Sequence, residues 1–149
     1  LESKIQNIGM IICLSVVMVA FVTKSKHEVV LSKQAPAPIG PYSQAIKTDD
    51  MLFVSGQIAL TTDGKMDTSS IETECKQVME NIKAIVESAN MRMEQVVKTT
   101  IYTTDLKNFN RINEVYKTYF VNAPPARETV QVSALPKGAH VEISVMAVK

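Results

Sequence analysis

The stretch IETECKQVMENIKAIVESAN, Ile71–Asn90, and the VVKTTIYT that follows it, Val96–Thr103, together decide the fold class. In the first, Ile71, Cys75, Val78, Ile82, Ile85, Val86 and Ala89 recur at i, i+3/i+4 spacing, while Glu72, Lys76, Glu80, Lys83 and Glu87 occupy the other side. That is a helix with one buried stripe and a charged wet face. The second is rich in β-branched residues, which pack well on a pleated surface, and reads as a strand.

Working outward, His27–Leu31 reads as a short strand, and residues 34–41 (QAPAPIGP) form a Pro/Gly-rich connector that excludes helix and central strand. Tyr42–Ile46 and Met51–Ile58 flank residues 47–50 in a hairpin-like pattern. Thr61–Thr68 is polar, with Asp63-Gly64 as a turn. Beyond the central strand, Asp105 is placed to cap a second helix through Phe120, with the stripe Leu106, Phe109, Ile112, Tyr116 and Tyr119 or Phe120. Glu128–Ala134 and His140–Val148 are the last strands. The order predicts an α+β sheet with two helices on one face. Val54, Ile58, Ile101, Val130 and Val145 exceed what one covered face needs, so a homo-oligomer burying the second face is expected, with sites between subunits.

A chain of 149 residues holds one domain with a real core. Its 46% apolar and 21% charged residues are those of a soluble globular protein, and a net charge of +1 leaves no electrostatic footprint for nucleic acid. Cys13 and Cys75 are not expected to pair, and with His27 and His140 isolated no zinc site is indicated. There is no GxGxxG and no P-loop. Ile8–Val22 is an uncharged apolar run between Lys4 and Lys24, short of the roughly 17–25 residues of a spanning helix and resembling a signal-peptide core. Residues 1–26 are therefore read as an apolar leader, a signal, an anchor or a gene-model artefact, separate from a domain at 27–149. The domain alone predicts a cytoplasmic protein; a genuine leader would make it organellar or membrane-anchored.

Arg127 is one of three arginines, set directly after Pro124-Pro125-Ala126, and Glu142 interrupts the last apolar strand. A guanidinium grips a carboxylate with two parallel bonds where an ammonium offers a point charge. Strand alternation groups Arg127 with Thr129, and Glu142 with Ser144, and we read all of these on one polar face with Glu128 pointing away. Two readings stand: a solvent-facing Arg–Glu pair of little energetic weight, or a pocket that grips an anion beside a carboxylate. Tyr42 and Asn113 alone read as ordinary half-buried positions. Ser55-Gly56-Gln57 interrupts a strand, where glycine marks a bulge or a close backbone approach.

The segments Gly40-Pro41-Tyr42-Ser43-Gln44, Ser55-Gly56-Gln57, Pro125-Ala126-Arg127 and Val141-Glu142-Ile143, with Asn81–Ile85 and Val97–Thr100, occur in an order and spacing that resembles the reactive intermediate deaminase family (RidA, formerly YjgF) from about His27 to Lys149. The resemblance implies a chorismate-mutase-like mixed sheet, a homotrimer with clefts between subunits, and hydrolysis of 2-imino acids, such as 2-iminobutanoate and 2-iminopropanoate, to 2-keto acids and ammonia. It implies no metal and no organic cofactor. Carried over, Arg127 binds the substrate carboxylate and Glu142 directs the attacking water. Tyr42 packs on the substrate side chain, Asn113 and Ser55 complete the pocket, Gly56 admits close backbone, and main chain near Thr129 meets the imine nitrogen. Two departures stand out: Thr129 replaces a frequent Cys, and Glu128 replaces a small residue and would compete for Arg127 if alternation failed locally. An endoribonuclease acting as a translation inhibitor, and a non-catalytic carboxylate binder or holdase, are the alternatives. Near-neutral charge weighs against the first, and retention of Glu142 beside Arg127 weighs against the second.

Overall fold

Ser70 sets the start of the long helix: its hydroxyl accepts the Thr73 N–H at 3.1 Å, satisfying one of the free donors of the first turn. The helix, α1, runs Ile71–Ser88 and buries the whole predicted stripe. The computed structural model describes residues 27–149; the leader expected at 1–26 lies outside them. No helix among the described residues is long and apolar enough to cross a membrane.

Six strands form one sheet: β1 (Glu28–Val30), β2 (Ala45–Lys47), β3 (Met51–Gln57), β4 (Val96–Thr103), β5 (Ala126–Gln131) and β6 (Val141–Val148), in the order β1-β2-β3-β6-β4-β5. Every neighbouring pair is antiparallel except β4 and β5. A parallel pair needs a crossover, and helix α2 (Phe109–Tyr116) supplies it.

The second helix is shorter than the predicted span from Asp105 to Phe120. Leu106–Asn108 and Lys117–Tyr119 are single 3₁₀ turns on either side of α2. Side chains explain both breaks. The Asp105 carboxylate accepts the Lys107 N–H at 2.9 Å, closing a tight turn, and the Thr118 hydroxyl donates to the Val115 carbonyl at 2.7 Å, competing with the helical ladder. β5 also stops at Gln131 rather than Ala134, because β4, its only neighbour among the described residues, ends at Thr103, whose carbonyl takes the Val132 N–H.

Register fixes what each face carries. Toward the helices, Val30, Ala45, Val54, Val145, Thr99 and Arg127 lie side by side across the sheet, and Leu52, Ile101, Ile143 and Val141 fill the core with Met79, Ile82 and Ile85 of α1. The opposite face presents Val29, Ile46, Phe53 and Met146 in a row, then Tyr102 and Val130 beside Glu142. This corrects the sequence argument for a second buried face. Val54, Ile101 and Val145 belong to the helix-covered core, and Ile58 joins a small cluster with Leu60 and Ala139. Of the five, only Val130 stands on the open face, where it is 43% exposed and Phe53, nearer the other edge, 39%. An open apolar face exists, but other residues make it.

Candidate active site

Arg127 projects from edge strand β5 toward α2. Its Nη1 donates to Asn113 Oδ1 at 2.8 Å, and its guanidinium carbon lies 4.9 Å from the Tyr116 ring centroid and 5.6 Å from that of Phe109. Two aromatic faces and an amide oxygen thus orient the cation without neutralising it. Tyr116 is fixed in turn: its hydroxyl donates to Thr99 Oγ1 at 3.0 Å, and burial pushes its pKa up. The other two arginines sit by carboxylates. Arg111 forks onto Glu72 with two bonds of 2.6 Å, and Arg92 lies 3.8 Å from Glu94. Arg127 forms no ion pair among the described residues. It opens into a cavity of about 480 Å³ with Asn113, Phe120 and Pro125.

Thr129 follows on the same face of β5. Since the Val132 N–H points to β4, alternation turns the main-chain groups of Thr129 and Arg127 to the sheet's free edge. A ligand held by Arg127 would meet main-chain N–H and C=O there.

Glu142 lies on the other face of the sheet, in a cleft of about 240 Å³ lined by Ile39, Tyr42, Ser55, Gly56, Ile58 and Pro136. The β3–β6 register slips between Val54 and Gln57, and this bulge swings Gly56 against the glutamate. A Cβ on Gly56 would overlap the Glu142 carboxylate, so a larger residue here would push the glutamate out of this rotamer. Burial raises the Glu142 pKa above its usual 4.5, and the carboxylate has no hydrogen-bonding group against it among the described residues. Ser55 is held by its hydroxyl bond to the Ser43 carbonyl at 2.7 Å. The Tyr42 oxygen accepts the Ile39 N–H at 3.2 Å, curling the connector over the cleft mouth.

The structure therefore assembles two groups of the predicted residues and keeps them apart. Arg127, Asn113 and Thr129 stand on the helix side; Tyr42, Ser55, Gly56 and Glu142 stand on the open side. The expectation that Arg127 and Glu142 share a face is corrected by register: Arg127 is level with Thr99 and Val145, while Glu142 is level with Tyr102 and, through it, Val130. Alternation within each strand holds; the phase between strands is what periodicity cannot supply. Glu128 does point away from Arg127. It bonds Lys98, and Thr100 Oγ1 at 2.6 Å, and these donors, Lys98 first, hold its pKa below the usual carboxylate value.

Sequence reasoning assigned no role to the buried amides that shape the cleft. Gln44 accepts the Ser32 N–H at 2.6 Å and donates to the Pro36 carbonyl at 2.8 Å, tying down the Pro-rich connector. Asn81 donates from α1 to the carbonyls of Ile58 and Leu60 at 3.1 and 2.8 Å. The available signal was Asn81 itself, a polar residue one position before Ile82 in an otherwise apolar stripe.

The domain is similar to known proteins over most of its length. The family model described as Endoribonuclease L-PSP matches residues 32–149. A RutC family protein of Saccharolobus solfataricus is 46% identical over 123 residues, 82% of this chain and 98% of its own length. The mouse 2-iminobutanoate/2-iminopropanoate deaminase is 42% identical over 124 residues, 83% of this chain and 92% of its own. The crystal structure of E. coli TdcF with bound serine superposes with a TM-score of 0.79 at 36% identity, covering 82% of this chain and 98% of that one.

Proposed function

The chain belongs to the endoribonuclease L-PSP family, and from that membership we propose that it hydrolyses 2-imino acids to 2-keto acids and ammonia at sites completed by two copies of the chain. One observation carries the reading: an oriented guanidinium on one face and a half-buried carboxylate on the other, each without its complementary partner among the described residues. Among the described residues the guanidinium meets no carboxylate and the carboxylate no hydrogen-bond donor. A neighbouring copy docked on the open sheet face would bring the Arg127 edge of one molecule to the Glu142 cleft of the next, in a homotrimer such as the family resemblance implies.

In that composite site Arg127 binds the substrate carboxylate through its fork, and Asn113 keeps the fork aimed. The bound serine of TdcF fits a site for small molecules carrying an amino-acid carboxylate. Tyr42, Ile39 and Ile58 surround the substrate side chain, and Ser55 lines the wall beside the reacting carbon. Main chain at Thr129 bonds the imine nitrogen. Glu142 takes a proton from water as the water oxygen bonds to the imine carbon, and the C=N electron pair moves to nitrogen. The proton then passes to that nitrogen, giving a carbinolamine; Glu142 next moves the hydroxyl proton to the amino nitrogen, the C–N bond breaks as the carbonyl forms, and ammonia leaves. The raised pKa of Glu142 suits a base that must also return its proton. An imine carbon is already electrophilic, so positioning and one base suffice, and no covalent nucleophile is called for.

The test is loss of 2-iminobutanoate generated in situ by a threonine dehydratase, with wild type, Arg127→Lys and Glu142→Gln side by side. Wild type accelerates the loss over buffer. Each variant loses about 100-fold or more in kcat/KM, since a lost fork or base each removes several kcal/mol of transition-state stabilisation. No acceleration by wild type sinks the deaminase reading. An RNA-cleavage arm runs in parallel, because cleavage that survives in both variants would place a nuclease elsewhere on the chain.

A further inference from the structure

The buried carboxylate of Glu74 takes no part in the chemistry above, yet it is wholly inaccessible and fully bonded. From the first turn of α1 its Oε1 accepts the main-chain N–H groups of His140 at 2.6 Å and Val141 at 3.1 Å, and its Oε2 lies 3.0 Å from His140 Nδ1. The His140 carbonyl is held from the other side by the Thr104 N–H at 3.1 Å and the hydroxyl of buried Thr103 at 2.9 Å. The next residue after Val141 is Glu142.

We infer that Glu74 is a positioning residue for Glu142, fixing the entry of β6 so that the glutamate is aimed past Gly56 into the cleft. The inference rests on the proposed role of Glu142 as the base. Its physical ground is how Glu142 is held. The carboxylate has no hydrogen-bonding anchor among the described residues, so its direction is set by its own main chain and by the space at Gly56. A base placed this way is only as well aimed as the peptide before it. Glu74 and Thr103 bond both main-chain polar groups of His140 and the N–H of Val141. A buried carboxylate is a costly way to dock a helix unless its bonds are all satisfied, and here each oxygen is.

The readouts are kcat and KM for the imine assay, and ¹³C-detected titration of the Glu142 carboxyl, identified by its absence in Glu142→Gln. In Glu74→Ala, kcat falls about 10- to 100-fold with KM within about twofold, the cost of a small misplacement of a reacting group. The Glu142 titration moves down toward the ordinary carboxylate range as the side chain leaves its cleft. Glu74→Gln keeps both main-chain acceptor bonds and restores kcat to within about threefold of wild type. His140→Ala, which removes only the ring, keeps kcat as well. A folded Glu74→Ala with unchanged kcat and unchanged Glu142 titration overturns the inference, as does a Glu74→Gln as impaired as Glu74→Ala. Should Glu74→Ala not fold, Thr103→Val reads the same restraint from the other side: a severalfold loss of kcat and a downward titration shift support it, and no change in either overturns it. If wild type shows no imine hydrolysis, the function fails but the titration still judges Glu74.

Discussion

Gly56 and the Glu142 carboxylate compete for one small volume, and that contact sets two expectations at the scale of the residue. Gly56→Ala forces the glutamate to swing away, because a side-chain end moves more easily than two paired strands. Imine hydrolysis should fall by about 100-fold while the melting temperature drops by no more than a few degrees, as fits displacement of one reacting group. An active Gly56→Ala enzyme would mean that Glu142 does not work from this rotamer. The second expectation concerns pH. Burial raises the Glu142 pKa above 4.5, so the charged form is disfavoured on folding. The group's contribution to stability is then present below its unfolded pKa and lost as pH rises through its folded one. Glu142→Gln should accordingly melt no lower than wild type at pH 7. Activity runs the other way: it needs the carboxylate, so kcat/KM rises with pH along an acid limb centred above 4.5, measurable from pH 4 to 7. A limb at or below the ordinary carboxylate value would assign the base elsewhere.

At the scale of elements, buried side-chain amides tie two loops to the core. Asn81 bonds two carbonyls of the segment after β3. Asn81→Ala strands the Leu60 carbonyl, whereas that of Ile58 keeps the Leu60 N–H at 2.7 Å; one unsatisfied carbonyl costs about 1–3 kcal/mol, so urea unfolding should show a loss of at least about 1 kcal/mol. A loss under half that would mean water replaces the amide. The same level shows what a sequence can disclose. All seven stripe positions are buried as read, six within α1 and Ala89 at its C-cap, and β4 spans the eight residues predicted, because periodicity and β-branching report burial directly. The 3₁₀ turns flanking α2 were hidden, since Asp105 and Thr118 break the helix by local bonds that leave the apolar stripe intact. The faces of Arg127 and Glu142 were hidden for another reason. Strand phase is set by which residues pair across β4, Arg127 with Thr99 and Glu142 with Tyr102, and hydrophobic spacing within one strand does not report that pairing. The residues of the site were legible as motifs; their division into two groups was not.

For the whole molecule, the sheet is a wall with half of the chemistry on either side. Phe53, Met146, Tyr102 and Val130 on its open face give a second copy an apolar surface to cover, next to Glu142. In the proposed ring each site takes its arginine from one copy and its glutamate from a neighbour. Two inactive proteins should therefore cure each other. Arg127→Lys and Glu142→Gln, unfolded together and refolded as a mixture, will form rings in which some clefts inherit both defects and others inherit none. The mixture should recover a sizeable fraction of wild-type activity while either protein refolded alone stays dead; a dead mixture of properly assembled rings would put both groups in one copy's site. In the language of genetics, two null alleles of a single locus would complement, and a cell carrying both would pass for healthy.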